Sequence, residues 1–116
     1  MDSRNLVHRS VADSLAVSLQ LTREELCMLI NISPHSLYQL QANDLLPAEP
    51  SMQIIHIQNA FKQAQKVFSD KQRALMWLKH ENLALGNIRP IDLLGTPDGI
   101  DSVIRILGRI EHGVYS

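Results

Sequence analysis

The side chains that most often perform acid–base, nucleophilic or metal chemistry are few in this sequence and stand far apart. Cys27 lies inside an apolar block with no neighbouring signature of a nucleophile, so we interpret it as a buried thiol. No histidine has a histidine, cysteine or carboxylate partner at a spacing typical of metal ligands, and no glycine-rich loop follows a strand. The sequence therefore predicts no catalytic residue, no metal site and no cofactor, which favours a protein that is not an enzyme. The five histidines are His8, His35, His56, His80 and His112.

Contact with DNA is a second kind of chemistry, which two short predicted helices could provide. Thr22–Ile30 and Pro34–Gln41 are joined by three residues, as in a helix-turn-helix, whose second helix lies in the major groove. Glutamine can pair with adenine, and serine or tyrosine can contact phosphate, but a plain helical hairpin has the same spacing. The second helix contains no Lys or Arg, so we expect a single chain to bind DNA weakly. Its outward side chains are His35, Ser36, Tyr38, Gln39 and Gln41.

The end of the sequence offers a third kind of chemistry, the anchoring of a partner protein. An amphipathic helix is predicted from Ile100 to Ile110, and Gly113 is suited to end it in a left-handed conformation. Val114 and Tyr115 follow, and an exposed aromatic ring can anchor in a pocket of a partner. A frayed tail is the alternative, and the chemistry of these residues leaves both interpretations open.

Composition limits the class of protein that must position these residues. The chain of 116 residues is long enough for one domain or two very small ones, and its 45% apolar and 20% charged residues are typical of a globular protein. Residues 1–50 carry a net charge of −3 and the remainder +2, so no overall basic charge indicates a nucleic-acid binder. The short apolar runs predict neither a membrane span nor a signal peptide, and the single cysteine suits a reducing compartment. We expect a cytoplasmic protein.

Apolar spacing and capping residues predict an all-α protein of six or seven helices. Helices are expected to start at Thr22, Ser33, Ser51, either Ser69 or Asp70, and Thr96, with a loop at residues 82–89. In the Ser51 helix, apolar residues from Ile54 to Phe68 recur at steps of three and four. This seam could pack in the core or against a second copy of the chain.

Several motifs carry a resemblance to a known family. The longest are Leu85-Gly86-Asn87, Pro90–Leu94 and Leu107–Val114, preceded by Ala74…Trp77-Leu78. With these motifs, residues 60–116 resemble the toxin-binding domain of the Xre/MbcA/ParS antitoxins of RES-type toxin–antitoxin pairs. The first half resembles the degenerate Xre-like helix-turn-helix of the same antitoxins. The sequence departs from the family at Asn87, where a second glycine is frequent, and after Ser51, where an arginine is common.

The resemblance implies a helix-turn-helix module at residues 1–50 and a toxin-binding domain at residues 51–116. It also implies a partner toxin with an ADP-ribosyltransferase-like fold that consumes NAD. In such pairs the antitoxin is not catalytic and docks its C-terminal helix and tail over the NAD cleft of the toxin. In this sequence Tyr115 would supply buried area there, and carboxylates would meet arginines. The residues implied to bind the toxin are Arg109, Glu111, His112, Val114, Tyr115 and Ser116 with its carboxylate.

Two functions follow as alternatives. In the first, the protein is an antitoxin that neutralises its toxin and also represses its own operon through residues 22–44, as a homodimer or in the toxin complex. In the second, it is a stand-alone transcriptional regulator whose C-terminal half only dimerises.

Overall fold

The computed structural model describes residues 5–113, and the six α-helices in this range confirm the all-α prediction. The boundary between two compact units falls inside the fourth helix, between His56 and Ile57. None of the described helices has the length and apolar character that crossing a bilayer requires. The helices are α1 (Arg9–Leu19), α2 (Arg23–Ile30), α3 (Pro34–Tyr38), α4 (Ala48–Phe68), α5 (Lys71–Leu78) and α6 (Pro97–Glu111).

The starts of α2 and α3 confirm the predicted caps. The Glu25 backbone N–H donates to Thr22 Oγ1 at 3.1 Å, and the Thr22 N–H donates to Glu25 Oε1 at 2.8 Å, a complete capping box. Ser33 Oγ accepts from the Ser36 N–H at 3.1 Å, and Pro34 occupies the first helical position, where its missing N–H costs nothing. Local sequence therefore determines where both helices begin.

The predicted end of α3 is wrong, because the helix ends at Tyr38 instead of Gln41. The Gln41 N–H donates to the Asp44 carboxylate at 2.7 Å, and the Asp44 N–H donates back to the Gln41 carbonyl at 3.0 Å. In this turn the Gln41 N–H bonds to the Asp44 side chain and not to a carbonyl of the helix. An Asp side chain competes in this way with helical hydrogen bonds, so α3 does not continue. Gln41 therefore lies in a turn beyond the candidate recognition helix.

The predicted start of α4 at Ser51 is also wrong. The helix begins at Ala48, and Pro50 fits in its first turn because amides there have no partner within the helix. Ser51 is fully buried, and its hydroxyl accepts from the Val7 N–H at 3.1 Å and donates to the Leu46 carbonyl at 3.2 Å. It ties the chain before α1 to the start of α4 instead of capping the helix.

Most of the α4 seam is buried within a single chain, and Phe68 at its end is half-buried. Ile54, Ile57 and Ala64 are 0% exposed, and Phe61 is 6% exposed. Of the two interpretations of the seam, packing in the core is therefore the one that the structure supports.

In the second unit, Asp70 is the one of the two predicted residues that caps α5, and its carboxylate accepts from the Gln72 N–H at 3.1 Å. The predicted loop at 82–89 contains a short 3₁₀ helix, Leu83–Leu85, and a second one, Pro90–Leu93, follows it. Gly86 and Asn87 both have left-handed backbones, with φ of 78° and 65°. Asparagine is among the few non-glycine residues that accept this conformation, which explains how it can replace a glycine at residue 87.

Candidate functional site

Helix α6 is fixed on the second unit by its first turn and its apolar face. Thr96 Oγ1 accepts from the Gly99 N–H at 3.0 Å, and Pro97 occupies the first turn, as predicted. A Cβ at Gly99 would lie 1.8 Å from the Leu93 carbonyl oxygen, so only glycine permits this close approach to the second 3₁₀ helix. The start of the helix is therefore held tightly. Its buried residues are Gly99, Ile100, Val103 and Leu107.

Polar contacts hold the other end of α6 against α4. Gln63 Nε2 donates to Glu111 Oε1 at 3.1 Å, and Lys66 Nζ lies 3.5 Å from Glu111 Oε2. A carboxylate in the last turn faces the negative end of the helix dipole, so the Lys66 ammonium offsets an unfavourable charge. We call the contacts among these three residues the Glu111 latch. Sequence reasoning missed Gln63 and Lys66, and no local signal could have found them, since Gln63 is 48 positions from Glu111 and Lys66 is almost as far.

The Glu111 carboxylate, which we expect to offer an anionic group to a toxin, already has partners within the chain. Both of its oxygens contact α4, and its side chain is 28% exposed. Arg109 and His112 are exposed, and Arg109 has no ion pair with any of the described residues. Gly113 has the predicted left-handed backbone, with φ of 71°, which ends α6.

The remaining residues expected to bind a toxin, Val114, Tyr115 and Ser116, lie outside the described residues. The described part of the candidate site is thus the exposed end of α6. It offers a free arginine, an exposed histidine and a carboxylate that contacts α4.

The candidate DNA-binding residues are all exposed, but several contact one another. His35 Nε2 and Gln39 Nε2 are 3.2 Å apart, and Ser36 Oγ accepts from Ser33 Oγ at 2.9 Å. The Arg23 guanidinium stacks over the Tyr38 ring, 4.3 Å from its centroid, a cation–π contact between α2 and α3 that the sequence analysis missed.

Cations are scarce on this unit. Within residues 5–56 the only Lys or Arg residues are Arg9 and Arg23. Arg9 Nη1 donates to the Leu40 carbonyl, and its Nε lies 3.7 Å from the Asp13 carboxylate, while Arg23 stacks on Tyr38. Both arginines of residues 5–56 therefore have partners within the chain.

The pKa of the Cys27 thiol is clearly shifted. Burial raises the pKa of its thiol above the usual 9.0; the nearby Arg23 charge opposes this shift, and Glu24 adds to it. A protonated, buried thiol is a poor nucleophile. No group of three or more His, Cys, Asp or Glu side chains in residues 5–113 could hold a metal ion.

The known proteins that this chain resembles are antitoxins. The family model described as "Antitoxin Xre/MbcA/ParS C-terminal toxin-binding domain" matches residues 63–113. "Antitoxin Xre" of Yersinia enterocolitica is 30% identical over 108 residues, which are 91% of this chain and 73% of the relative. "Antitoxin Xre" of Photorhabdus laumondii is 34% identical over 70 residues, 60% of this chain but only 47% of the relative, so the match spans about half of that protein.

A solved structure supports the fold. One chain of the crystal structure of the M. tuberculosis MbcT–MbcA toxin–antitoxin complex superposes with a TM-score of 0.66 at 19% identity, covering 93% of this chain and 96% of that one. At this identity the likeness concerns the fold alone. The family follows instead from the Yersinia relative, with which the matched domain agrees. The chain belongs to the Xre/MbcA/ParS antitoxin family.

Proposed function

We propose that this protein is the antitoxin of a type II toxin–antitoxin pair and binds its toxin through the end of α6 and the residues that follow. The match of residues 63–113 to the toxin-binding domain of the family carries this proposal. That segment contains α6 and the three residues of the Glu111 latch. The N-terminal module would then occupy about residues 1–50 and the toxin-binding domain residues 51–116.

The partner in this proposal is a RES-type toxin with an ADP-ribosyltransferase-like fold that consumes NAD in the cytoplasm. Arg109, His112, Val114, Tyr115 and Ser116 contact the toxin and cover its NAD cleft. The aromatic ring of Tyr115 supplies a large contact area for few ordered torsions. An NAD cleft binds phosphates with cationic groups, which also attract anionic groups of a protein.

Glu111 has a different task in this proposal. Its two oxygens contact Gln63 and Lys66, so it sets the position of the last turn of α6. The residues after Gly113 then leave the helix from a fixed point, which lowers the conformational entropy lost on binding. Glu111 is thus a positioning residue for the contacts made by its neighbours.

The test is inhibition of a purified RES-type toxin, encoded by the neighbouring reading frame, in an assay of NAD consumption. The full chain is expected to abolish NAD consumption at one equivalent, and a chain ending at Gly113 is expected to inhibit much more weakly. A chain with Tyr115→Phe serves as the control, because it keeps the ring. Unchanged NAD consumption with the full chain would refute the proposed function.

We also propose that the α2–α3 module contributes to repression of the operon within a homodimer or the toxin complex. Its two capped helices have the spacing of a helix-turn-helix, while its few cations are engaged within the chain. Several copies on one operator would add their weak contacts. Dimerisation would use a surface other than the α4 seam, most of which is buried. Tight, steeply salt-dependent operator binding by the isolated chain in an anisotropy titration would instead favour the stand-alone regulator.

A further inference from the structure

The two glycines of α6, Gly99 and Gly108, differ in whether the fold of the chain requires a glycine. At Gly99 a Cβ would collide with the Leu93 carbonyl oxygen, so the fold needs glycine there. At Gly108 a Cβ would meet no heavy atom within 4 Å among the described residues, apart from its own helix backbone and chain neighbours. Its backbone is also outside the left-handed region, unlike Gly86 and Gly113. The fold thus gives no reason for a glycine at this position.

A glycine without such a reason is unfavourable in the interior of a helix, because it loses more backbone entropy on folding than alanine does. It also leaves a shallow gap in the helix surface. Glycine is the residue that lets another backbone come close, as it does at Gly99 within this same helix. The empty space at Gly108 is therefore suited to a partner backbone.

The residues around Gly108 indicate the chemistry of that partner. Ile104 lies one turn earlier and is 38% exposed, so an apolar side chain borders the gap. Arg105 and Arg109 are exposed on the adjacent row of the helix, and neither forms an ion pair with the described residues. Two unpaired guanidinium groups beside an apolar contact fit an acidic peptide segment.

We propose that Gly108 is the close-contact point for an acidic segment of the toxin, whose backbone lies across α6 between Ile104 and the arginine pair Arg105 and Arg109. This inference rests on the proposed function and deepens it, because it adds a contact on the side of α6 to those at its end. A side chain at residue 108 would hold the segment away, and carboxylates of the segment would pair with the arginines.

The test compares Gly108→Ala and Gly108→Leu with the parent in two measurements, urea unfolding and binding to the immobilised RES-type toxin. Ser14→Ala is the matched control, since it also raises helix propensity but lies at an exposed position of α1, not on α6. Gly108→Ala is expected to raise the folded-to-unfolded ratio about two- to fivefold. It is expected to weaken toxin binding roughly tenfold, and Gly108→Leu more. Ser14→Ala is expected to bind as the parent does.

A more stable chain that binds more weakly cannot be explained by damage to the fold. Toxin binding by Gly108→Ala at the affinity of the parent would overturn the inference while leaving the proposed function intact. Loss of self-association in sedimentation experiments, with toxin binding unchanged, would also overturn it by assigning the surface to a second copy of the chain. Failure of the parent to bind the toxin would instead refute the proposed function. Arg105→Gln is expected to slow association at low salt and to lose that effect at high salt.

Discussion

Removal of the Glu111 latch tests whether this carboxylate positions α6 or contacts the toxin. The Lys66 side chain is 70% exposed and that of Glu111 28%, so solvent screens their ion pair to about 0.5 kcal/mol. The hydrogen bond from Gln63 adds about 0.5–1 kcal/mol. Glu111→Ala therefore costs about 1–1.5 kcal/mol of anchoring, which limits the loss of toxin affinity to roughly tenfold.

Titration calorimetry with the toxin would measure these losses. Glu111→Gln keeps an acceptor for Gln63 and loses only the ion pair, so its dissociation constant is expected to rise about twofold. Lys66→Gln is expected to have a similar effect, while Lys62→Gln, one turn earlier on α4, serves as the control. Combining Lys66→Gln with Glu111→Ala is expected to add nothing to the loss from Glu111→Ala alone. A hundredfold loss from Glu111→Ala, with Lys66→Gln harmless, would refute the positioning role, because it would require direct contact with the toxin.

Three further predictions concern the fold. Gly99→Ala is expected to destabilise the chain by about 3 kcal/mol in urea unfolding, because the new Cβ meets the Leu93 carbonyl; an unchanged midpoint would contradict this close approach. Ser51→Ala leaves the buried Val7 N–H without its acceptor and is expected to cost about 2 kcal/mol, whereas Ser51→Thr, which keeps the hydroxyl, tests whether the hydrogen bond matters. The raised pKa of Cys27 contributes stability below pH 9.0 that is lost as the pH rises toward the folded-state pKa. The free energy of unfolding of the parent should therefore fall more steeply above pH 9.0 than that of Cys27→Ala. Parallel pH profiles of the two proteins would argue against the shift.

Local rules predicted the starts of four helices, because each cap bonds within three residues of itself. Thr22, Ser33, Asp70 and Thr96 all accept the expected backbone N–H. The predicted end of α3 was wrong because the turn at Gln41–Asp44 competes with the helix. The predicted start of α4 was wrong because the Ser51 hydroxyl bonds to the Val7 N–H, 44 residues away, and does not cap the helix.

The candidate site also has a part that the sequence predicted and a part that depends on contacts between distant residues. The sequence motifs led to the family and to the end of α6, and the comparisons confirm the family. The Glu111 latch and the Arg23–Tyr38 stack join side chains from different helices, so only tertiary packing brings them together. The contacts of Arg109, His112 and the residues beyond Gly113 with a toxin stay predictions.

A crystal structure of this chain bound to the RES-type toxin would test the central claim most directly. We predict electron density for Val114–Ser116 within the NAD cleft, a toxin backbone in van der Waals contact with Gly108, and retention of the contact between Glu111 and Lys66. An open cleft, with α6 and the residues after it facing solvent, would contradict the account.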